Sequence, residues 1–420
     1  MLIHSASQLL TLSGGPQRGN QLGKLGIILN GSVLVRSGFV VETGPSELLL
    51  QKYPDESRLD AKNKVVLPGF IDPHTHLIFA GDRAREFEMR LQGMTYMQIL
   101  AAGGGILSTV VATRSASRDE LTFQMKKRAR KILRVGTTTA EVKTGYGLSL
   151  ESELSQLQLI ANYLDIFSPD LVPTFLGAHA IPPEFKDDPS GYTALINSHM
   201  LSEIRELWRA EYPGKSLPFV DVFCEHGAFN LEQSRIILET ARSLGFPLKI
   251  HADEFENLGG ASLAAQLGAV SADHLVRSST VDISALASSS TVAVSLPCTP
   301  FGLGETEYTP ARAIIEAGGL LALASDFNPG TAWCGNMQFV IALACRYMKL
   351  TPAEAIAAAT INAAAAIRVD STVGSIEPGK KAHLLILNVD DYRQLGYQFG
   401  GNLVHTVIKD EYIIENEDED

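Results

Sequence analysis

The chain has 420 residues, 45% of them hydrophobic and 20% charged, the balance of an ordinary globular protein. Its 35 basic and 47 acidic residues leave a net charge of -12 and no basic stripe, which argues against a nucleic-acid partner. No apolar run reaches the roughly 18 residues of a membrane span. The start "MLIHSASQLLTLSGG" lacks the basic and apolar regions of a signal peptide, so the expected location is the cytoplasm.

Residues 1–65 alternate short β-rich pieces with turns at Asn30-Gly31 and Ser37-Gly38. The last fifty residues return to that style in "VGSIEPGKKAHLLILNV" and "NLVHTVIKDEYII", ahead of an acidic end, "ENEDED", that reads as solvated chain. Between them, eight β-branched or apolar runs recur at 65–72, 137–142, 171–176, 219–224, 247–251, 269–274, 291–296 and 320–326. Helical stretches separate them. Ser117 to Glu120 forms a capping-box signature, and Thr351-Pro352-Ala353-Glu354 adds a proline at the first helical position. Eight alternating units predict an α/β fold, a (β/α)8 TIM-like barrel over 66–370 with an insertion between strands one and two. A small β-sandwich domain is expected from both chain ends, 1–65 and 371–420. A doubly wound open sheet is the structural alternative.

Chemistry in such a barrel belongs at the C-terminal ends of the strands. The first run is followed by "PGFIDPHTH", where period-2 alternation would project His74 and His76 to one side. Later ends bring Lys143 and Tyr146, then His179, then Glu225 and His226. His251 with Glu254, His274, Pro297-Cys298 and Asp326 follow. Six of the ten histidines fall at strand ends, on five strands. Imidazoles with one carboxylate suit zinc or ferrous iron with an open position for water. A bound ion brings the pKa of water from 15.7 to about 7. A neighbouring carboxylate can then carry the proton to a leaving nitrogen. Asp326 in "ASDFNPGT" has the chemistry of ligand and proton carrier, although a strand-terminal Asp also serves as a helix N-cap.

Other motifs read two ways. Arg83 could grip a carboxylate or make a surface salt bridge with Asp82 or Glu86. Tyr146, between glycines in "TGYGL", suits close approach to a ligand or a plain turn. Gly103-Gly104-Gly105 precedes no G-K-[ST] and reads as a flexible loop over the pocket. The backbone N–H groups of "NPGT" are candidates for ligand contact. Cys224, Cys298, Cys334 and Cys345 form no C-x-x-C and read as reduced core or pocket residues.

"PGFIDPHTH", single histidines after strands five and six, and an Asp after strand eight resemble the amidohydrolase superfamily. Within it, "GDRAREFEMR", "EVKTGYGL", "FLGAHAIP", "KIHADEF" and "ASDFNPGT" are similar to the imidazolonepropionase family. The superfamily resemblance implies one divalent metal ion, Zn or Fe, on His74, His76, His251 and Asp326, with His274 hydrogen-bonding the water. The family resemblance implies that Arg83, Tyr146, His179, Glu254, Asn328, Gly330 and Thr331 contact the substrate or product. Catalysis would involve Asp326, His274, Glu254 and His179, with His179 polarising the ring carbonyl; Asp326 and Glu254 both stand as proton carriers.

Two departures stand out: Glu225 where binuclear members carry a lysine after strand four, which favours one metal, and His383 in place of Asp in the late "GKKADLL" pattern. The implied activity is hydrolysis of 4-imidazolone-5-propanoate to N-formimidoyl-L-glutamate in histidine degradation. The alternative is another single-metal amidohydrolase such as a purine or pyrimidine deaminase. The expected partner is a small molecule, imidazolone propionate, with no nucleic acid and no membrane; a homodimer is left open.

Overall fold

The computed structural model describes residues 1–94, 98 and 103–416. Most of the triple-glycine neighbourhood (95–97, 99–102) and the last four acidic residues lie outside it. Eight parallel strands follow the eight apolar runs: β1 (Phe70–Asp72), β2 (Thr137–Lys143), β3 (Asp170–Ala178), β4 (Phe219–Cys224), β5 (Lys249–Ala252), β6 (Ser271–His274), β7 (Val292–Ser295) and β8 (Leu320–Leu323). They pair in sequence order from β1 to β8, which is the (β/α)8 arrangement. The long spacing between β1 and β2 holds helices Ala84–Leu91, Ile106–Ser115 and Arg118–Arg134. Ser117 caps the third of these by accepting from Glu120 N, and the Thr351/Glu354 capping box is complete with Pro352 in the first turn.

The run 65–72, expected as one strand, serves two sheets. Val66–Pro68 pairs antiparallel with Leu384–Leu387, whereas Phe70–Asp72 opens the barrel. The break falls at Gly69, where any Cβ would overlap the Thr138 side chain. Its N–H donates to His383 O at 2.8 Å, so the backbone switches partners there. Both chain ends build one mixed eight-stranded sheet. Its order runs Tyr412–Glu415, Val404–Lys409, Leu384–Leu387, Val66–Pro68, Leu2–Leu10, Ile27–Arg36, Phe39–Pro45, with Arg58–Asp60 also paired to Leu2–Leu10. His383 belongs to this sheet region, 3.3 Å from Asp410 and beside Gly69 at the N-terminal end of β1, the end opposite the histidine cluster.

The barrel closes beyond the regular ends of β1 and β8. His76 N donates to Phe327 O at 2.9 Å and Asp326 N to His74 O at 3.1 Å, around a parallel bridge between Thr75 and Phe327. On the other flank, Lys143 N donates to Thr75 O at 2.9 Å. The expected strand 320–326 therefore stops short at Leu323, because Asp326 turns to φ +55°. Among the described residues, no helix is long and apolar enough to cross a membrane.

Buried Asn362 ties the N-terminal segment to the barrel. Its Oδ1 accepts from Gln17 N at 2.7 Å, and its Nδ2 donates to Gln17 O and Leu321 O, each at 2.8 Å. Asn362→Ala strands three buried backbone groups. We expect a loss of about 2–3 kcal/mol in urea unfolding, from the cost of unsatisfied buried polar groups.

Candidate active site

Extended backbone at residues 74–76 sends alternate side chains to opposite sides. Thr75 Oγ1 points away and donates to Glu141 O at 2.5 Å, while the His74 and His76 rings face the barrel mouth with centroids 5.3 Å apart. His251 from β5 lies 4.4 Å from His74, and His274 from β6 lies 5.3 Å from His251, centroid to centroid. Oδ1 of Asp326 is 3.5 Å from Nε2 of both His74 and His76. Asp326 (φ +55°) and His274 (φ +79°) hold left-handed backbone without being glycine, a strain that clusters at functional sites.

Burial lowers the pKa of His74, His76 and His274 well below the usual imidazole range. These rings are neutral at pH 7. Nδ1 of His74 meets Oδ2 of Asp273 at 2.7 Å; since a carboxylate only accepts, the proton sits on Nδ1 and Nε2 keeps its lone pair. His251 Nδ1 lies 3.0 Å from Oδ2 of Asp221, close but not aligned as a hydrogen bond. The Nε2 atoms of His74 and His251 are buried and have no hydrogen-bond partner. Orphaned lone pairs are costly in a protein interior unless a cation receives them. His74, His76 and Asp326 form one group able to hold a metal ion, and His74, His251 and His274 form another. The donor set fits a divalent ion.

A cavity of about 730 Å³ opens above this cluster, lined by His76, Arg83, Tyr146, His179, Glu254, Asn328 and Thr331 among others. Arg83 Nε is buried without a hydrogen-bond partner, 3.8 Å from Glu86, so the salt bridge expected as its alternative role is loose. Gly330 gives the Arg83 guanidinium its room, because a Cβ there would overlap it. The amides of Gly330 and Thr331 donate to Oδ1 of Asn328 at 2.7 and 2.9 Å in an Asx-type turn beside the cavity.

His179 is held through its ring. Its Nδ1 donates to Gly145 O at 3.0 Å, and burial lowers its pKa to about 3, so a neutral ring presents an unprotonated Nε2 that can accept from an N–H. Glu225 does not face the metal cluster with a vacant oxygen. It accepts from His226 N at 2.8 Å, Phe255 N at 2.9 Å and Glu256 N at 3.3 Å, which fixes the loop carrying Glu254. The Glu254 carboxyl lies 3.5 Å from His274 Nε2, and burial, with Asp326 and Glu225 adding repulsion, raises its pKa well above the usual carboxylate range. His226 is exposed at the cavity wall.

Residues 65–412 match the amidohydrolase family. An imidazolonepropionase of Herpetosiphon aurantiacus is 48% identical over 97% of this chain and 95% of its own. One from Chloroflexus aggregans is 47% identical over 99% of each chain. The chain belongs to the amidohydrolase family, among the imidazolonepropionases. Solved structures share the fold at low identity: a 5-methylcytosine deaminase from Klebsiella pneumoniae has a TM-score of 0.70 at 17% identity, covering 99% of this chain and 98% of its own. An adenosine deaminase from Xanthomonas campestris with bound zinc gives 0.69 at 17%, covering 100% and 94%.

Beneath the histidines this amidohydrolase carries a buried charge cage that strand-end reasoning missed. Lys143 Nζ lies 2.7 Å from Asp221, 2.9 Å from Glu141 and 3.6 Å from Asp273. Lys249 Nζ lies 3.0 Å from Glu141, 3.6 Å from Asp273 and 2.8 Å from Pro73 O. All five side chains are fully buried. Burial alone would lower the Lys143 pKa, but Asp221, Glu141 and Asp273 raise it above the usual range, so it stays charged. The signal was available: "TTTAEVK", "FVDVFC", "PLKIH" and "AVSADH" each place a charge inside an apolar strand.

A separate surface groove of about 900 Å³ gathers Lys126, Lys127, Arg130, Lys131 and Arg134 beside Phe123 and Phe167, a basic face not singled out in the sequence. It holds none of the histidine cluster. For the cage, Lys143→Met would leave Glu141 and Asp273 with Lys249 alone and Asp221 with no ammonium partner. Breaking a buried pair from one side costs about 3–5 kcal/mol, which we expect as a lower denaturation midpoint in guanidinium.

Proposed function

We propose that this chain hydrolyses 4-imidazolone-5-propanoate to N-formimidoyl-L-glutamate in histidine degradation, using one divalent ion, zinc or ferrous iron. Relatives named imidazolonepropionase, 45–48% identical over nearly the whole chain, support the activity. The observation that carries the substrate assignment is Arg83: an arginine whose buried Nε has no hydrogen-bond partner, on the wall of the cavity that the histidine cluster faces. A deaminase of purines or pyrimidines has no use for a carboxylate clamp there.

His74, His76, His251 and Asp326 would hold the ion. When bound, it would supply Lewis acidity toward a water molecule and the ring carbonyl. Charge balance supports a single ion. Two ammoniums against three carboxylates leave the cage one negative charge, which a divalent ion with one Asp326 carboxylate offsets.

The residues divide the remaining work. Arg83 holds the propionate, and Nε2 of His179 accepts from a ring N–H, which orients the carbonyl carbon toward Asp326. Asp326 takes a proton from water as the oxygen bonds that carbon. The carbon–nitrogen bond then breaks, and the nitrogen leaves with the proton Asp326 carried. His274 orients the water, and Glu254, protonated beside it, is the second proton donor of the site. Tyr146, whose phenol burial keeps protonated, offers a neutral donor to the substrate.

The test is turnover of freshly generated imidazolone propionate by protein stripped with chelator and reconstituted with zinc or iron, with activity expected only after reconstitution. Asp326→Asn preserves shape and removes the base; kcat should fall on the order of 100-fold or more. Near-normal turnover in that variant would transfer the shuttle to Glu254.

For Arg83→Ala, a charge-assisted pair of about 1.5–3 kcal/mol predicts a loss of roughly 10- to 150-fold in kcat/KM. An imidazolone without the propionate should show much less loss, and Arg83→Lys should recover only part of it. Equal impairment on both compounds would reduce Arg83 to a loop contact.

A further inference from the structure

Strand β7 brings neither a metal-ligand candidate nor a substrate contact to the cavity, yet the helix that follows it, Cys298–Leu303, touches the reacting centre through one hydroxyl. Thr299 Oγ1 donates to Oδ2 of Asp326 at 2.5 Å. Thr299 is 2% exposed and Asp326 is 3% exposed, so no bulk water competes for either oxygen. We propose that Thr299 is a positioning residue for Asp326: its hydroxyl holds Oδ2, so that Oδ1 alone faces His74 and His76. This inference rests on the reading of Asp326 as ligand and proton carrier.

The physical case starts from the freedom of a carboxylate. The terminal torsion of Asp is broad and roughly two-fold, so a carboxylate fixed only by its backbone presents either oxygen. A separation of 2.5 Å is that of a charge-assisted O–H···O⁻ bond, which is shorter and stronger than a neutral one. That bond distinguishes the two oxygens and leaves the other at 3.5 Å from both Nε2 atoms.

The backbone is held independently. Asp326 N donates to His74 O, and Asn328 Nδ2 donates to Asp326 O at 2.7 Å, so the main chain at φ +55° is pinned on both sides. Those backbone bonds leave the carboxylate rotation open; the Thr299 hydroxyl takes Oδ2, with the Asn328 side chain also beside the carboxylate. The helix packs directly on the 326–331 turn: Gly302 lies so close to the Thr331 carbonyl that a Cβ there would overlap it.

The experiment compares Thr299→Val, Thr299→Ser and Asp326→Asn. Two quantities are read: the dissociation constant of Co(II) in competition with a chelator, and kcat and KM of the reconstituted enzyme. Loss of an outer-shell partner typically costs about 10–100-fold in metal affinity or activity. Thr299→Val should therefore weaken Co(II) by at least about 10-fold and lower kcat similarly, with KM changed less than about threefold. Thr299→Ser should restore both to within about threefold. In an Asp326→Asn background, Thr299→Val should add almost nothing, as expected for groups that act as a unit.

A packing role predicts the reverse order, because Val fills the Thr volume and Ser leaves a gap; Val tolerated and Ser impaired overturns the proposal. Full Co(II) affinity in Thr299→Val also overturns it. Should Thr299→Val fail to fold, Thr299→Ser against Thr299→Ala makes the same comparison, since the two differ by one hydroxyl; equal Co(II) affinity and kcat in that pair overturn the proposal. Near-normal turnover and metal binding in Asp326→Asn would instead remove the Asp326 reading itself, whatever position 299 does.

Discussion

The site depends on how the barrel closes. Strands β8 and β1 share no regular ladder; their junction is made one step further on, where 74–76 pairs with 326–327 by backbone hydrogen bonds. The residues that stitch the barrel shut are thus those that carry His74, His76 and Asp326. Backbone amides have fixed geometry, so pairing there sets where the three side chains start, and side-chain hydrogen bonds then fix their rotamers. The strained φ at Asp326 follows from the same seam, because the chain must turn out of β8 to meet His74. Asp72 reinforces it from below, with Oδ1 accepting from Ser325 N at 3.0 Å and Oδ2 from Ser325 Oγ at 2.5 Å.

Electrostatics accounts for the next layer. Histidines offer a lone pair to a metal only when neutral and in the right tautomer. Burial secures the first condition for His74, and Asp273 secures the second by taking the Nδ1 proton. Asp221 Oδ2 lies 3.0 Å from His251 Nδ1. Buried carboxylates need counter-charges, and Lys143 and Lys249 provide them from β2 and β5. The barrel interior, filled with apolar side chains in the general pattern of this fold, is here partly a salt-bridged network.

The side chains that line the cavity are held by different means. Glu254 is placed by a loop tethered to Glu225, His179 by a carbonyl, and Arg83 by the room that Gly330 leaves. Each tether lies on a different strand end, so the constellation belongs to the barrel as a whole. Loops on a rigid scaffold carry function in this manner generally.

Much of this was legible in the chain alone. Eight apolar runs, their alternation with helical stretches and the clustering of histidines just past the runs determined the barrel and the candidate ligands, because both follow from local periodicity. The Thr351 capping box was equally local. What tertiary structure decided was anything that depends on which strands face each other. Asp221, Asp273, Glu141, Lys143 and Lys249 lie on four strands across about 130 residues and become a cage only when the barrel closes. The split of 65–72 at Gly69 needed Thr138 and His383, and the fate of the Gly330 and Thr331 amides needed the rotamer of Asn328. The tautomer of His179 was hidden for the same reason: sequence specifies which groups can bond, but a hydrogen bond exists only where the fold brings donor and acceptor to within about 3 Å of one another.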